Sequence, residues 1–339
     1  MIKEAYLYEK LPKNKVQCKN CAHYCFILEN QKGICQVRKN IKGKLFALNY
    51  EKLIACNVDP IEKKPLFHFL PGSSSLSIAT MGCNFRCLNC QNYNISQFSK
   101  NKDEVPGEKI ESEKIVKLAL KNNTPSISYT YTEPVIFLEY ALDTMRLAKK
   151  GGIKNIWVSN GFLSKESLKL ISPYLDGANI DLKGFSDDFY RKNCGGKLQP
   201  VLDNLVRIKN KKIWLEITTL VIPGLSDQLE MFEKIAKFIK KELGAETPWH
   251  LTQFYSKISW KLKKLPDTPV ETLKRAWQIG KDAGLKYVYN GNVQGLESEN
   301  TFCPKCDSLM IKRTGYDIQR FDKKGKCAKC KENLNLILN

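Results

Sequence analysis

Between about Ser75 and Tyr289 the chain alternates short apolar runs with longer amphipathic ones. The runs Leu76–Thr80, Ser126–Thr130, Ile156–Ser159, Ala178–Leu182, Ile213–Val221 and Trp249–Phe254 have strand length and predict six strands. Helical periodicity predicts helices over Glu111–Lys121, Ile136–Lys150, Lys165–Ile171, Pro200–Lys209, Gln228–Leu243 and Pro269–Ala283. Glycine closes several of them, as at Gly151-Gly152 and Gly284, where a left-handed cap is expected. Repeated strand–helix alternation implies parallel strands with helices outside, joined by right-handed crossovers. The expected architecture is α/β, a partial (β/α)6-type TIM barrel over residues 75–292. Reactive residues in such a sheet collect at the carboxyl ends of the strands.

The two ends of the chain break this rhythm. Residues 1–74 carry a cysteine group, strand-like pieces around Leu45–Tyr50 and Leu53–Val58, and then Pro60, Pro65, Pro71 and Gly72 as punctuation. They read as a small Cys-rich N-terminal module. Residues 293–339 form a C-terminal module with two cysteine pairs. No apolar run approaches the length of a membrane span, and Met1-Ile-Lys-Glu-Ala-Tyr6 lacks the apolar segment of a signal peptide. Thirteen cysteines in that context argue against a disulfide scaffold and for metal or cluster ligation in a reducing, cytoplasmic compartment. The formal charge of +20 admits nucleic acid or an acidic protein as partner. The lysines are nonetheless spread along helix faces, as in Ile235–Glu242, without a dense basic block.

The chemistry concentrates after the first predicted strand, in Met81-Gly-Cys-Asn-Phe-Arg-Cys-Leu-Asn-Cys-Gln-Asn92. Cys83, Cys87 and Cys90 at CxxxCxxC spacing offer three thiolates where an iron–sulfur cluster normally takes four, which leaves one iron for a small molecule. The competing reading is a zinc knuckle. The loop resembles the signature of the radical S-adenosylmethionine (SAM) superfamily, with Phe85 at the aromatic position. Asp59–Gly72, Tyr129–Pro134, Ser159–Gly161, Asn179–Lys183, Leu220–Gly224, Pro248–His250 and Gly284–Asn292 extend the likeness over nearly the whole chain. Together they resemble AmmeMemoRadiSam-system radical SAM enzymes, relatives of the pyruvate formate-lyase activating enzyme.

That resemblance implies a [4Fe-4S] cluster on the three cysteines and SAM chelated to its open iron. Reductive cleavage would then give a 5′-deoxyadenosyl radical that abstracts hydrogen from a substrate. It implies an electron donor such as ferredoxin or flavodoxin, and a substrate of protein type. It implies SAM contacts at Glu133, Asn160, Asp181, Lys183 and His250. Against this stand the alternatives that Asn160-Gly161 is a plain turn, that Asp181 and Lys183 only satisfy one another, and that His250 is a satisfied core histidine. Glu133 corresponds to the acid of a Gly-Gly-Glu-Pro-like segment, although Tyr131-Thr132 stands where the glycines would be. A carboxylate there accepts from the methionyl ammonium, which offers only donors.

Cys18, Cys21, Cys25 and Cys35 put four thiolates within eighteen residues, enough for a zinc site or a second cluster. Cys303, Cys306, Cys327 and Cys330 match a zinc ribbon, expected to dock on the barrel or help hold a macromolecular substrate. Cys56 and Cys194 are left over; Cys194 is a candidate hydrogen-atom donor if it reaches the barrel mouth, against the default of a small buried residue. Two other readings compete: a radical SAM enzyme acting on RNA, and a non-enzymatic zinc protein that binds nucleic acid or serves as an adaptor.

Overall fold

The computed structural model describes residues 2–97, 104–293 and 295–338. Its centre is a nine-stranded sheet. We label eight of its strands β1 (Lys52–Pro60), β2 (Ser74–Thr80), β3 (Ser126–Tyr129), β4 (Lys154–Ser159), β5 (Gly177–Asp181), β6 (Trp214–Val221), β7 (Trp249–Gln253) and β8 (Val288–Gly291). The ninth is the two-residue Glu108–Lys109, which pairs with β1 at the edge. From β2 to β8 every neighbour pair is parallel and follows chain order. Among the described residues β2 and β8 do not pair, so the parallel run stays open rather than closing into a barrel.

Strands buried on both faces read as continuous apolar or small-residue runs. Ser126-Ile-Ser-Tyr129, buried at every position, owes its place to that pattern. Between and after the strands lie α1 (Ser112–Lys121), α2 (Leu138–Lys150), α3 (Lys165–Ile171), α4 (Gln199–Asn210), α5 (Leu229–Phe238) and α6 (Val270–Asp282). Each lies within three residues of its predicted bounds, except that the long Gln228–Leu243 segment changes to a π-type turn at Ile239. The start of α3 is fixed by Ser164, whose hydroxyl accepts from the Ser167 amide at 3.0 Å.

Two features differ from the sequence reading. The parallel run has a seventh member, β8, which the predicted strands do not include. The boundary at residue 74 also falls inside the sheet, because Lys52–Pro60 pairs antiparallel with β2. The cysteine-rich part proper therefore ends near Tyr50. Between β1 and β2 the chain packs on one face of the sheet, where Ile61, Leu66, Phe69 and Leu70 meet Ile156 and Trp214.

The two modules cap opposite ends of the strands. The N-terminal module meets loops that follow β3 and β4: Asn20 Nδ2 donates to the Val135 carbonyl, and the Ala22 amide to that of Phe162. Arg38 reaches α2 and makes a buried, two-pronged pair with Glu139. The C-terminal module packs its own small core of Cys303, Met310, Ile311, Cys327 and Leu334. It docks on the amino-terminal side, where Ile337 exchanges backbone hydrogen bonds with His68 and Leu70.

Candidate active site

β2 leads directly into the loop that carries Cys83, Cys87 and Cys90. Backbone bonds hold the loop open: the Gly82 amide donates to the Ile95 carbonyl, that of Arg86 to Cys194, and that of Leu88 to Asn193. Phe85 anchors it, buried between Phe162 and Tyr190 with ring centroids 5.0 and 6.2 Å away. The fit at Gly196 is so close that a Cβ there would stand 2.3 Å from the Phe85 ring. Gly82, with φ of +108°, would place a Cβ 2.9 Å from Val37 and 3.1 Å from the Cys35 carbonyl. The N-terminal module therefore presses on this loop at a point only glycine allows.

The three thiols line a cavity of about 460 Å³ together with Glu133, Asn160, Asp181 and Lys183. That volume lies within the roughly 300–1,000 Å³ of small-molecule sites. Among the described residues no histidine and no fourth cysteine faces the cavity. The donor set thus fits a cluster held by three thiolates with one iron facing open space, and does not fit a closed four-ligand knuckle. The Phe85 amide donates to Cys83 Sγ at 3.4 Å, and Cys90 Sγ lies 3.6 Å from Ser96 Oγ.

Glu133 is buried and caps the turn that opens α2. It accepts from Ser159 Oγ and the Asn160 amide, each at 2.8 Å, and from the Val135 amide at 3.3 Å. Burial pushes its pKa up to about 7 despite these donors. Lys183 Nζ bonds Asp181 at 2.7 Å on the cavity wall. Burial disfavours the Lys183 ammonium, but Asp181, Cys87 and Cys194 outweigh it and raise its pKa well above the usual value.

Other candidates occupy different positions from those expected. Asn160 lines the cavity, but its amide is engaged by the protein, donating to Asn84 Oδ1 and accepting from the Phe162 amide. His250 does not face the cavity. It is buried near the amino end of β7, donating through Nε2 to Glu216 at 2.7 Å and stacked on Tyr289. Its alternate neighbour Thr252 reaches the cavity instead. Cys194 is fully buried against Cys87 and does not reach the mouth. Cys56, by contrast, is exposed on β1.

The structure adds residues the sequence reading left out. Asn179, Thr218, Thr252 and Gln253 line the cavity from β5, β6 and β7. Strand parity was the available signal for Asn179, which shares a face with Asp181. Tyr131 also lines it, at φ of +61°, a conformation that glycine would adopt without cost. Its carbonyl accepts from Asn92 and its hydroxyl donates to Asp59, which also pairs with Lys64 at 2.6 Å. Those contacts hold a backbone that a bulky residue otherwise avoids.

The terminal cysteines divide by geometry. Cys303, Cys306, Cys327 and Cys330 gather within 4.8 Å of one another, with cross-pair sulfur distances of 3.5 Å. A single metal ion fits that arrangement. The ribbon lies at the strand ends opposite the cavity, which separates it from the chemistry. Cys18, Cys21, Cys25 and Cys35 line a different, smaller cavity that Asn84 of the Cys83 loop also lines.

These features are those of a radical SAM enzyme, and residues 77–239 match the radical SAM superfamily. The chain belongs to that superfamily. Over 99% of its length it is 44% identical to all of MJ0808 of Methanocaldococcus jannaschii, an uncharacterized protein, so the two share one family. It is also 26% identical over 231 residues to the putative glycyl-radical enzyme activating enzyme MJ1632 of the same organism, covering 64% of this chain and 80% of that one. Identity to pyruvate formate-lyase 1-activating enzyme of Escherichia coli K12 is 23% over 219 residues, 61% of this chain and 89% of the other. The fold is shared with Streptococcus suis SuiB bound to precursor peptide SuiA, at a TM-score of 0.51 and 12% identity, covering 68% of this chain and 51% of SuiB. This membership removes the non-enzymatic adaptor from consideration. Among the described residues no helix is long and apolar enough to cross a membrane.

Proposed function

We propose that this chain is an activating-type radical SAM enzyme of the AmmeMemoRadiSam group that abstracts hydrogen from a protein substrate in a reducing, cytoplasmic setting. The observation that carries the reading is the convergence of Cys83, Cys87, Cys90, Glu133, Asp181 and Lys183 on one cavity at the carboxyl ends of parallel strands. The likeness to two activating enzymes supports a protein as substrate.

In this reading Cys83, Cys87 and Cys90 hold a [4Fe-4S] cluster, and ferredoxin or flavodoxin supplies its electron. Bound there, the cluster and SAM supply reductive cleavage to a 5′-deoxyadenosyl radical. The chain's own residues do the remaining work. Glu133, fixed by Ser159 and the Asn160 amide, presents carboxylate lone pairs to the methionyl ammonium. The Asp181–Lys183 pair offers an acceptor and a cation at the opposite wall, for hydroxyls and a carboxylate. Asn160 positions the cysteine loop through Asn84 rather than gripping the ligand. Lys63, Lys64 and Tyr131 form the rim, and Phe85 keeps the loop from closing over the open position. The C-terminal thiols hold zinc as a fold-stabilising ion.

The test uses anaerobically reconstituted, dithionite-reduced protein. Wild type is expected to convert SAM to methionine and 5′-deoxyadenosine, and Cys87→Ala to form neither. Supplying protein extract of the source cells grown on Cα-deuterated glycine should then place deuterium in the 5′-deoxyadenosine. Deuterium arriving only from a labelled RNA fraction would overturn the protein substrate and favour RNA.

A further inference from the structure

The N-terminal cysteines behave unlike the C-terminal ones. Four thiolates around one tetrahedral zinc, at a Zn–S distance of roughly 2.3 Å, stand about 3.8 Å apart. Cys303, Cys306, Cys327 and Cys330 already approach that spacing. Among the described residues no three of Cys18, Cys21, Cys25 and Cys35 gather within the 4.8 Å span of the C-terminal group, and neither do Cys83, Cys87 and Cys90. The N-terminal thiols instead line one small cavity. Cysteines bound to different irons of a cluster stand farther apart than those sharing one ion, because inorganic sulfide fills the space between. The quartet therefore differs from the ribbon in the same respect as the Cys83 loop does.

A second observation comes from the cavity's polar wall. Arg38 and Asn84 line it, each only 1% exposed. Both terminal nitrogens of Arg38 are engaged, bonding Glu139 and the Ile136 carbonyl, yet its Nε has no partner. Asn84 Nδ2 is likewise unpartnered. Buried donors left without acceptors are costly and rare in folded proteins. Two of them facing one thiol-lined space point to anionic sulfur as the missing acceptor. Such donors suit anionic sulfur, and thiols not gathered for one ion suit a sulfide-bridged group.

We propose that Cys18, Cys21, Cys25 and Cys35 hold an iron–sulfur cluster closed by four thiolates, separate from the open-iron cluster of Cys83, Cys87 and Cys90. The two sites share a wall. Asn84 follows Cys83 in the chain, its carbonyl accepts from His23 Nε2 at 2.9 Å, and Gly82 abuts Cys35. Arg38 and Asn84 donate to the N-terminal cluster's sulfurs. The assignment does not depend on which substrate the enzyme acts on.

The experiment is metal analysis and EPR on a Cys83→Ala/Cys87→Ala/Cys90→Ala variant reconstituted anaerobically with ferrous iron and sulfide. The variant is expected to keep about two or four irons per chain with equal acid-labile sulfide. Its reduced EPR signal should not respond to SAM. Adding Cys21→Ala and Cys25→Ala should remove that iron and leave the C-terminal metal. Iron-free triple variant carrying about two zinc ions per chain would overturn the proposal. Should the variant fail to fold, Mössbauer spectra and metal counts of the wild type decide. About six or eight irons support a second cluster, whereas about four irons with two zincs refute it.

Discussion

At the residue scale the informative group is Glu133, a buried carboxyl with three protein donors and a pKa near 7. Its folded-state pKa lies above the usual 4.5, so the folded protein holds an extra proton between those values. Stability from this group therefore falls as pH rises from 4.5 to 7. A ligand ammonium reverses the preference, because it needs the ionised form. SAM affinity is expected to strengthen about tenfold per pH unit up to pH 7 and then level off. Glu133→Gln should weaken SAM by about 10- to 100-fold, the worth of one charge-assisted hydrogen bond, and flatten the profile. Equilibrium dialysis of the reconstituted protein across pH 5.5–8.5 measures both. Gly196 supplies a steric counterpart on the other side of the loop. Gly196→Ala drives a methyl into Phe85 and is expected to cost about 1–3 kcal/mol in denaturant unfolding. The same change should lower iron retention at the Cys83 loop, since Phe85 can yield only by moving that loop.

At the scale of elements, what the sequence revealed and what it concealed have identifiable physical causes. Six strands and six helices were legible because their apolar periods differ and each spans enough residues to register. β8 was not among the predicted strands, its Val288-Tyr-Asn-Gly291 closing on two polar or small residues. β1 was legible as the strand-like Leu53–Val58, and only its antiparallel place in the sheet, outside the βα rhythm, was not. His250 shows a subtler limit. Parity correctly puts it on the same face of β7 as Thr252, but a period of two fixes the face and says nothing about depth. One step toward the amino end places it beside Glu216, away from the cavity. Asn160 was legible as a site residue by position, while its partner Asn84 depended on a fold-back that no local pattern encodes. The Arg38–Glu139 pair between the N-terminal module and α2 was invisible for the same reason, the partners standing 101 positions apart. Its contribution can be measured directly. Arg38→Met strands a buried carboxylate and should destabilise the protein by about 3–5 kcal/mol. Arg38→Met/Glu139→Leu should recover most of that loss in urea unfolding, because both charges then leave together.

At the scale of the whole molecule, the sheet's two ends are given to different tasks, and a histidine joins the lower one. His68 donates through Nδ1 to the Leu334 carbonyl of the ribbon and accepts through Nε2 from the Tyr289 hydroxyl at 2.6 Å. The Nε2 bond, in which the ring accepts, requires the neutral form, and burial lowers its pKa to about 4. The stability it contributes is complete above its unfolded value of 6.5 and is lost as pH falls through 4. Glu216 follows at lower pH. Burial works to raise it, but the His250 bond and the Phe67 and His68 amides hold it near 2, so its share disappears between 4.5 and 2. Wild type should therefore lose up to about 1.4 kcal/mol per pH unit from His68 below pH 6.5, with Glu133 opposing in part. His68→Phe sets a lower starting stability but should remove that slope, so the gradient of unfolding free energy with pH is the quantity to compare. Ribbon metal acts on the same joint from the other side. Cys327→Ser/Cys330→Ser should release one metal ion, lower Tm and expose the Phe69–Ile337 contact to hydrogen exchange. It should leave the SAM-dependent EPR change of the Cys83 loop intact, because the ribbon docks at the strand ends opposite the cavity. Loss of that EPR response would mean that the ribbon reaches the active site through the sheet, and that the two ends are not independent.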